Sequence, residues 1–427
     1  MTPSNQAVPS FNELGIAPEL LGVLNHLRFT TPTPIQHQCI PAALEGKDIV
    51  GIAQTGTGKT LAFGVPMIQL LGQNKGQGLI LLPTRELALQ VDEVLHSVGR
   101  KFGLRTAVLI GGASSHAQIQ AVRRRPHILV STPGRLIDHL QQKNVSLERV
   151  KMIVLDEADR MFDIGFAPQI RQILSFAPKE RQTLMFSATM PPAIAEMAAR
   201  FMKMPWRIEV APAGTTVAQV EQEIFIASRD VRVQLLEKLL ADNAGTVLIF
   251  SRTKRGCKKI AEFVRDMGHS AVEIHSNRSL AQRTAAMAGF KTGKFRVLVA
   301  TDIAARGIDV DNIALVINYD LPSTPDDYVH RIGRTGRAGS AGKAVSFAGP
   351  EERASIKQIE RLIKKTITVT ALPVLPPRRA AAAARPFRPG ARSYGGRAQG
   401  GRPPGGRPGR PHGKQPFGHP HRNFAIR

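Results

Sequence analysis

The chain has 427 residues, 42% of them hydrophobic, enough for two to three domains with buried cores. No apolar run reaches the roughly 18 residues of a membrane span, MTPSNQAVPSFNEL lacks the regions of a secretory signal, and two cysteines in different halves, Cys39 and Cys257, argue against a disulfide framework and fit a reducing cytosol. The net charge of +25 is the footprint of a polyanionic partner, nucleic acid first.

From about Ile49 to Val210, short β-rich apolar runs alternate with helix-like stretches. DIVGIA, GLILL, TAVLI, HILVS, MIVLD and TLMFS read as parallel strands buried on both faces. Their alternation with helices predicts a first α/β domain, residues 1–210. Between the first run and its helix lies AQTGTGKT, Ala53 to Thr60. A glycine-rich turn ending in Lys-Thr wraps a phosphate with backbone N–H groups. Ala53, Gln54, Thr55, Gly56, Thr57 and Gly58 form the wrap. Lys59 then reaches the outer phosphates, and the Thr60 hydroxyl is placed to ligate Mg²⁺. Ala53 stands where the simplest pattern has its first glycine. Further on, VLDEAD (Val154 to Asp159) closes a buried apolar run. Asp156 is placed to hold Mg²⁺ through water, and Glu157 to orient or activate the attacking water.

Ala211 to Val217, APAGTTV, is small and polar and reads as a linker. The rhythm then restarts with EIFIA, TVLIF, SAVEI, RVLVA, LVINY and AVSFA, which predicts a second α/β domain over residues 218–370. That domain contains no second phosphate loop. In YVHRIGRTGRAG, Tyr328 to Gly339, three arginines recur at three-residue spacing: Arg331, Arg334 and Arg337. A charge run is usually a solvated face. A spaced set on one lobe and a phosphate loop on the other read instead as arginine fingers crossing a cleft. Such fingers contribute about 10³–10⁵ in rate and make hydrolysis depend on lobe closure.

Residues 371–427 carry twelve Lys+Arg and no Asp or Glu, about half of the chain's charge excess. Pro and Gly deny this segment regular structure, so a disordered basic tail is expected. Its arginines are interleaved with Phe387, Tyr394, Phe417 and Phe424. Phosphate attraction together with base stacking makes it an RNA-binding tail rather than a plain solubility tail. Other residues have blander readings. Trp206 is expected to be a packing residue, the methionines from Met185 to Met204 core filling, and both cysteines ordinary core or surface thiols. No Cys/His spacing points to zinc.

PTPIQ (Pro32 to Gln36), AQTGTGKT, PTRELA (Pro83 to Ala88), Gly111–Gly112, TPGR (Thr132 to Arg135), DEAD, SAT (Ser187 to Thr189), LIFSRT (Leu248 to Thr253), ATDIAARGIDV (Ala300 to Val310) and HRIGRTGR (His330 to Arg337) follow one another along the chain. In this order, over about residues 10–365, the chain resembles a DEAD-box RNA helicase of superfamily 2. IHSNRSLAQRTAAMAGFKTGKFRVLVATD and the short core with a basic tail look most like the bacterial RhlE type. The resemblance implies two tandem RecA-like parallel-sheet domains and an ATP- and Mg²⁺-using, RNA-dependent ATPase. It implies that Gln36 reads the adenine edge with Phe29 stacking nearby, that Asp309 contacts the ribose, and that Arg334 and Arg337 are the fingers. Lys59, Asp156 and Glu157 complete the catalytic set. It implies an RNA track of Pro83, Thr84, Arg85, Gly111, Gly112, Thr132, Pro133, Gly134, Arg135 and Thr301. Ser187, Thr189, Arg306 and His330 would couple that track to ATP. Two residues depart from the family's habit: Arg28 and Ser276 both stand where glycine is frequent.

The reading is an enzyme that closes two lobes on ATP and RNA and locally pries short duplexes apart or remodels RNA–protein complexes. Recognition through the backbone implies little sequence specificity. Ribosome assembly and RNA decay both fit a cytoplasmic enzyme of this type, with ribosomal precursors or decay machinery as partners and no membrane. The alternative is an ATP-gated RNA clamp whose tail anneals RNA. A DNA translocase of the same superfamily is disfavoured by DEAD and SAT.

Overall fold

The computed structural model describes residues 9–54, 56–73, 76–210, 220–305, 310, 313–336 and 342–377. The expected linker, 211–217, and the expected tail, 371–427, apart from residues 371–377, lie outside the described residues.

The first sheet contains β1 (Ile49–Ile52), β2 (Gln77–Leu81), β3 (Thr106–Leu109), β4 (Ile128–Ser131), β5 (Val150–Leu155), β6 (Gln182–Ser187) and β7 (Trp206–Glu209). These strands are parallel and lie in the order β3-β4-β2-β5-β6-β1-β7. Helices α1 (Pro18–His26), α2 (Pro34–Leu44), α3 (Lys59–Gln73), α4 (Arg85–Gly99), α5 (Ser115–Arg123), α6 (Pro133–Gln141), α7 (Ala158–Asp163), α8 (Ala167–Phe176) and α9 (Pro192–Phe201) belong to this lobe. Successive strand residues alternate between two cores. Ile49, Ile80, Val130, Leu184 and Phe186 face one; Val50, Leu79, Leu129, Ile153 and Met185 face the other. Burial on both faces is why these segments read as continuous apolar runs.

The second sheet contains β8 (Val220–Ile226), β9 (Val247–Phe250), β10 (Ala271–Ile274), β11 (Val297–Ala300), β12 (Leu315–Asn318), β13 (Gly342–Ala348) and β14 (Thr368–Thr370), with α10 (Arg232–Asp242), α11 (Lys254–Asp266), α12 (Leu280–Lys291), α13 (Asp302–Ala305), α14 (Pro325–Ile332) and α15 (Arg353–Ile363). Its order, β10-β11-β9-β12-β13-β8-β14, repeats that of the first sheet strand for strand, again in parallel. Beyond β14 the chain still follows this lobe: Leu375 packs on its core and Gln234 Nε2 donates to the Pro376 carbonyl at 2.7 Å. No helix among the described residues is long and apolar enough to cross a membrane.

Three expectations change. Each sheet has a seventh strand, β7 or β14, beyond the apolar runs. Both are short edge strands, and in β7 only Ile208 is buried, so neither shows an apolar run. Trp206 is half exposed rather than packed, with the Lys47 ammonium 4.1 Å above its ring. Met185, Met197 and Met202 do fill the core, but Met204 is 97% exposed. Cys39 and Cys257 are buried, and burial pushes both thiols up to about 12.

Candidate active site

The strand order sorts the motifs. In a parallel sheet, ligands gather outside the carboxyl ends of the strands. AQTGTGKT, DEAD and SAT follow β1, β5 and β6, which are neighbours in one half of the first sheet. PTRELA, Gly111–Gly112 and TPGR follow β2, β3 and β4, neighbours in the other half. The second lobe divides the same way. LIFSRT ends β9 and ATDIAARGIDV ends β11, beside β10, whereas HRIGRTGR follows β12 on α14.

The phosphate loop is held from three sides. The Ala53 N–H donates to the Ser187 carbonyl at 2.9 Å, which fixes the loop's start to the SAT strand. The Thr57 hydroxyl donates to the Gln54 carbonyl at 2.7 Å. Gly56 and Gly58 both have φ of +87°, in the left-handed region that glycine tolerates. A Cβ on Gly58 would collide with the Gln36 side-chain amide. Gln36 is buried in the first turn of α2: its Oε1 accepts the Thr33 N–H at 2.9 Å, and its Nε2 donates to the Gly58 carbonyl at 3.0 Å. One of its two amide donors thus braces the loop, while its oxygen caps α2. Phe29, 37% exposed, follows Arg28, whose φ is +63°. Arg28 therefore adopts a conformation natural to glycine, the residue frequent at that place; Ser276 is not among the left-handed residues.

Lys59 opens α3 and is buried. Its Nζ donates to the Ala53 carbonyl at 3.1 Å and lies 3.7 Å from Asp156 Oδ1. Thr60, half-buried, follows it in the first turn. Burial pushes the Asp156 carboxyl up to about 6, against the pull of Lys59. A carboxylate so desolvated is suited to a cation. Thr60 and Asp156 offer hard oxygen donors, as Mg²⁺ prefers, and Mg²⁺ takes only one or two protein oxygens when phosphates share it. Among the described residues no group of three or more His, Cys, Asp or Glu could hold a metal alone. Glu157 is buried, with φ of +52° as it caps α7. That left-handed backbone costs a non-glycine residue about 1–2 kcal/mol.

SAT meets DEAD through a residue that the sequence reading passed over. Asp159 Oδ2 accepts the Ala188 and Thr189 N–H groups, each at 3.0 Å, and the Thr189 hydroxyl at 3.2 Å. The Asp159 N–H donates to Ser187 Oγ at 3.2 Å. Ser187 and Thr189 are thus joined to the acidic turn one residue beyond its Asp-Glu-Ala.

In the other half of the sheet, the guanidinium of Arg85 rests on bare glycine backbone. A Cβ on Gly112, φ +77°, would collide with it, and one on Gly111 would lie 3.3 Å from Arg85 Nη2. Arg135 reaches the same loop, donating to the Ala113 carbonyl at 3.5 Å. Thr84 caps α4 through Leu87 N–H at 3.3 Å, with Pro83 buried before it. Thr132 and Pro133 start α6, and Gly134 has open space where a Cβ would be. Arg85 and Arg135 thus meet at the Gly111–Ala113 loop, while Thr84 and Thr132 start the helices that carry them. Thr301 directly follows β11, its N–H donating to the Ile274 carbonyl at 3.3 Å.

Arg334 is buried, donates to the His330 carbonyl at 3.2 Å, and with His330 lines a cleft of about 10 Å³ between the lobes. Arg331 borders the same cleft but is engaged within its own lobe. It is buried in its own lobe, bidentate to Asp302 at 2.5 and 2.8 Å, and also donates to Asn318 and the Asp320 carbonyl. Thr55, Arg306, Asp309 and Arg337 lie outside the described residues. Among the described residues, two ion pairs cross between lobes: Arg160 Nη1 to Asp327 Oδ1 at 3.2 Å, and Arg283 Nη2 to Glu86 Oε2 at 2.7 Å. Neither was foreseen, since no spacing rule links such distant residues.

The family model for DEAD/DEAH box helicases matches residues 33–197, and that for the helicase conserved C-terminal domain matches residues 231–339. The DEAD-box ATP-dependent RNA helicase CshA of Bacillus cereus is 42% identical over 369 residues, 86% of this chain and 70% of that protein. The ATP-dependent rRNA helicase RRP3 of Debaryomyces hansenii is 42% identical over 362 residues, 84% of this chain and 76% of that protein. Among solved structures, S. cerevisiae Dbp5 bound to RNA and ADP BeF3 is similar with a TM-score of 0.76 and 29% identity, over 85% of this chain and 96% of that one. A chain that shares so much of its length and both lobes with these proteins belongs to the DEAD-box ATP-dependent RNA helicases, ATP-hydrolysing enzymes of two tandem RecA-like domains.

Proposed function

We propose that ATP is held by the Ala53–Thr60 loop and RNA by the Arg85–Gly112–Arg135 cluster, and that hydrolysis waits for the second lobe to bring up Arg334 and Arg337. One observation supports the reading: the sheet order puts the AQTGTGKT, DEAD and SAT loops in one half of the first lobe and PTRELA, Gly111–Gly112 and TPGR in the other, and the DEAD turn meets the second lobe's arginine helix through Arg160 and Asp327. Lys59 neutralises the outer phosphates. Thr60 and Asp156 would hold Mg²⁺, which would supply stabilisation of the charge on the transferred phosphoryl oxygens. Glu157 positions the attacking water. Asp159, Ser187 and Thr189 transmit the state of this site to the seam between lobes. Arg85, Arg135, Thr132 and Thr301 grip the RNA backbone, so recognition is largely independent of sequence.

On this reading the enzyme separates short RNA duplexes or remodels RNA–protein complexes in the cytoplasm. Ribosome assembly and RNA decay are the candidate settings, and the rRNA helicase named among the relatives favours the first. The test is ATP turnover with and without RNA in Lys59→Ala and Glu157→Gln proteins. Both should lose RNA-stimulated turnover; a Glu157→Gln protein with near-parental turnover would refute the site assignment. The alternative, an ATP-gated clamp with a tail that anneals RNA, is separated by deleting residues 378–427. Annealing without ATP should then vanish if the tail has its own activity.

A further inference from the structure

Helix α15 carries Arg353, Lys357 and Arg361, and Lys364 and Lys365 follow at its end. Spacings of four, four and three residues put the first four cations on one helical face. The opposite face serves the fold: Ile356 and Ile359 are buried in the core with Tyr328 and Ile332 of α14. All five cations are exposed, and none forms an ion pair with a described residue. On the same lobe, Lys238, Lys258 and Lys343 each pair with a carboxylate. The stripe borders a groove of about 310 Å³ lined by Lys357, Glu360, Arg361, Lys364, Lys365 and Thr366. Its one carboxylate, Glu360, already accepts the Ile367 N–H at 2.9 Å.

Helix stability does not account for this pattern. Like charges one turn apart destabilise a helix. The helix dipole favours cations in the last turn only, which covers Arg361 and Lys364, opposes Arg353 and does nothing for Lys357. The stripe runs about 16 Å at roughly 1.5 Å per residue, a length that meets several phosphates of one strand. By connectivity α15 belongs to the β13–β8–β14 half of the sheet, away from the β10–β11–β9 half whose loops carry LIFSRT and ATDIAARGIDV.

We propose that this face of α15 binds the phosphate backbone of RNA flanking the segment held in the cleft, a second contact independent of ATP. The partner is RNA because the enzyme already works on it and the surface offers unpaired cations in series. An acidic protein segment would be drawn by the same charge and is distinguished by the test.

That test uses the full chain and a Lys357→Glu/Arg361→Glu variant, with far-UV circular dichroism to verify folding. Binding is measured by fluorescence anisotropy over a KCl series, for a single strand of about ten nucleotides, within a one-domain site size, and for one about four times longer. For the long strand the variant should bind about tenfold more weakly at low salt, and the slope of log K against log salt should be shallower by roughly 0.7 per lost phosphate contact. The short strand should bind and stimulate ATP turnover as in the parent. An unchanged slope on the long strand overturns the proposal, including where the variant has lost an acidic protein partner instead. Equal losses on both strands also overturn it, because the stripe would then belong to the track. Failure of the short strand to stimulate the parent protein counts against the proposed track alone.

Discussion

Arg160 and Asp327 stand 167 residues apart in the chain and meet at 3.2 Å across the two lobes, their side chains 3% and 14% exposed. Arg160 directly follows DEAD. Asp327 lies in the first turn of α14, three residues before His330. The pair fastens the acidic turn of one lobe to the arginine helix of the other. Arg160→Asp should therefore depress RNA-stimulated ATP turnover by about tenfold, the loss of roughly 1.4 kcal/mol. The exchanged pair, Arg160→Asp with Asp327→Arg, should recover part of it. A double-mutant cycle on kcat/KM measures the coupling, expected at about 0.5–3 kcal/mol; strictly additive losses would show that the contact does not matter.

The buried Asp156 predicts a pH dependence. Its folded value of about 6 lies above the ordinary 3.8, so between those values the folded protein binds more protons than the unfolded chain. Stability then falls as pH rises through this window. Without nucleotide or Mg²⁺, Asp156→Asn should melt higher than the parent at pH 8, and the gap should close as pH drops from about 6 toward 4. Thermal melts across that range check it.

Arg28, at φ +63°, bears a backbone cost that glycine avoids. Arg28→Gly should stabilise the protein by about 0.5–1 kcal/mol, the left-handed strain less the extra entropy of glycine in the unfolded chain. Urea unfolding monitors the change.

Gly112→Ala puts a methyl group where the Arg85 guanidinium rests, on a backbone at φ +77°. RNA affinity should fall about tenfold while nucleotide affinity holds, as loss of an RNA-side contact worth about 1.4 kcal/mol requires. Titrations with fluorescent RNA and fluorescent nucleotide separate the two. Equal loss of both would place the Gly111–Gly112 loop in general folding rather than in RNA binding.

The parts legible in the sequence are those whose chemistry needs contiguous residues. A phosphate wrap needs glycines at fixed offsets before Lys59, and an acidic turn needs Asp156 and Glu157 side by side. Twelve of the strands announced themselves because burial on both faces leaves mostly apolar residues. β7 and β14 did not, since an edge strand such as Trp206–Glu209 has one buried side chain. In the sequence Arg331 looked like Arg334 and Arg337, and its hold on Asp302, Asn318 and the Asp320 carbonyl is a set of contacts that spacing does not reveal. The cross-lobe pairs Arg160–Asp327 and Glu86–Arg283 are contacts between distant residues, and local pattern carries no trace of them.

The strand order repeated in the two sheets has an energetic corollary. If each lobe has an ATP half and an RNA half, as proposed above, each ligand's grip is divided between two bodies, and each ligand favours the same joined arrangement. Linkage then makes their help mutual: whatever factor RNA adds to nucleotide affinity, nucleotide adds to RNA affinity. Spending the nucleotide must loosen the RNA by that factor, which makes letting go as much a product of the duplicated topology as holding on.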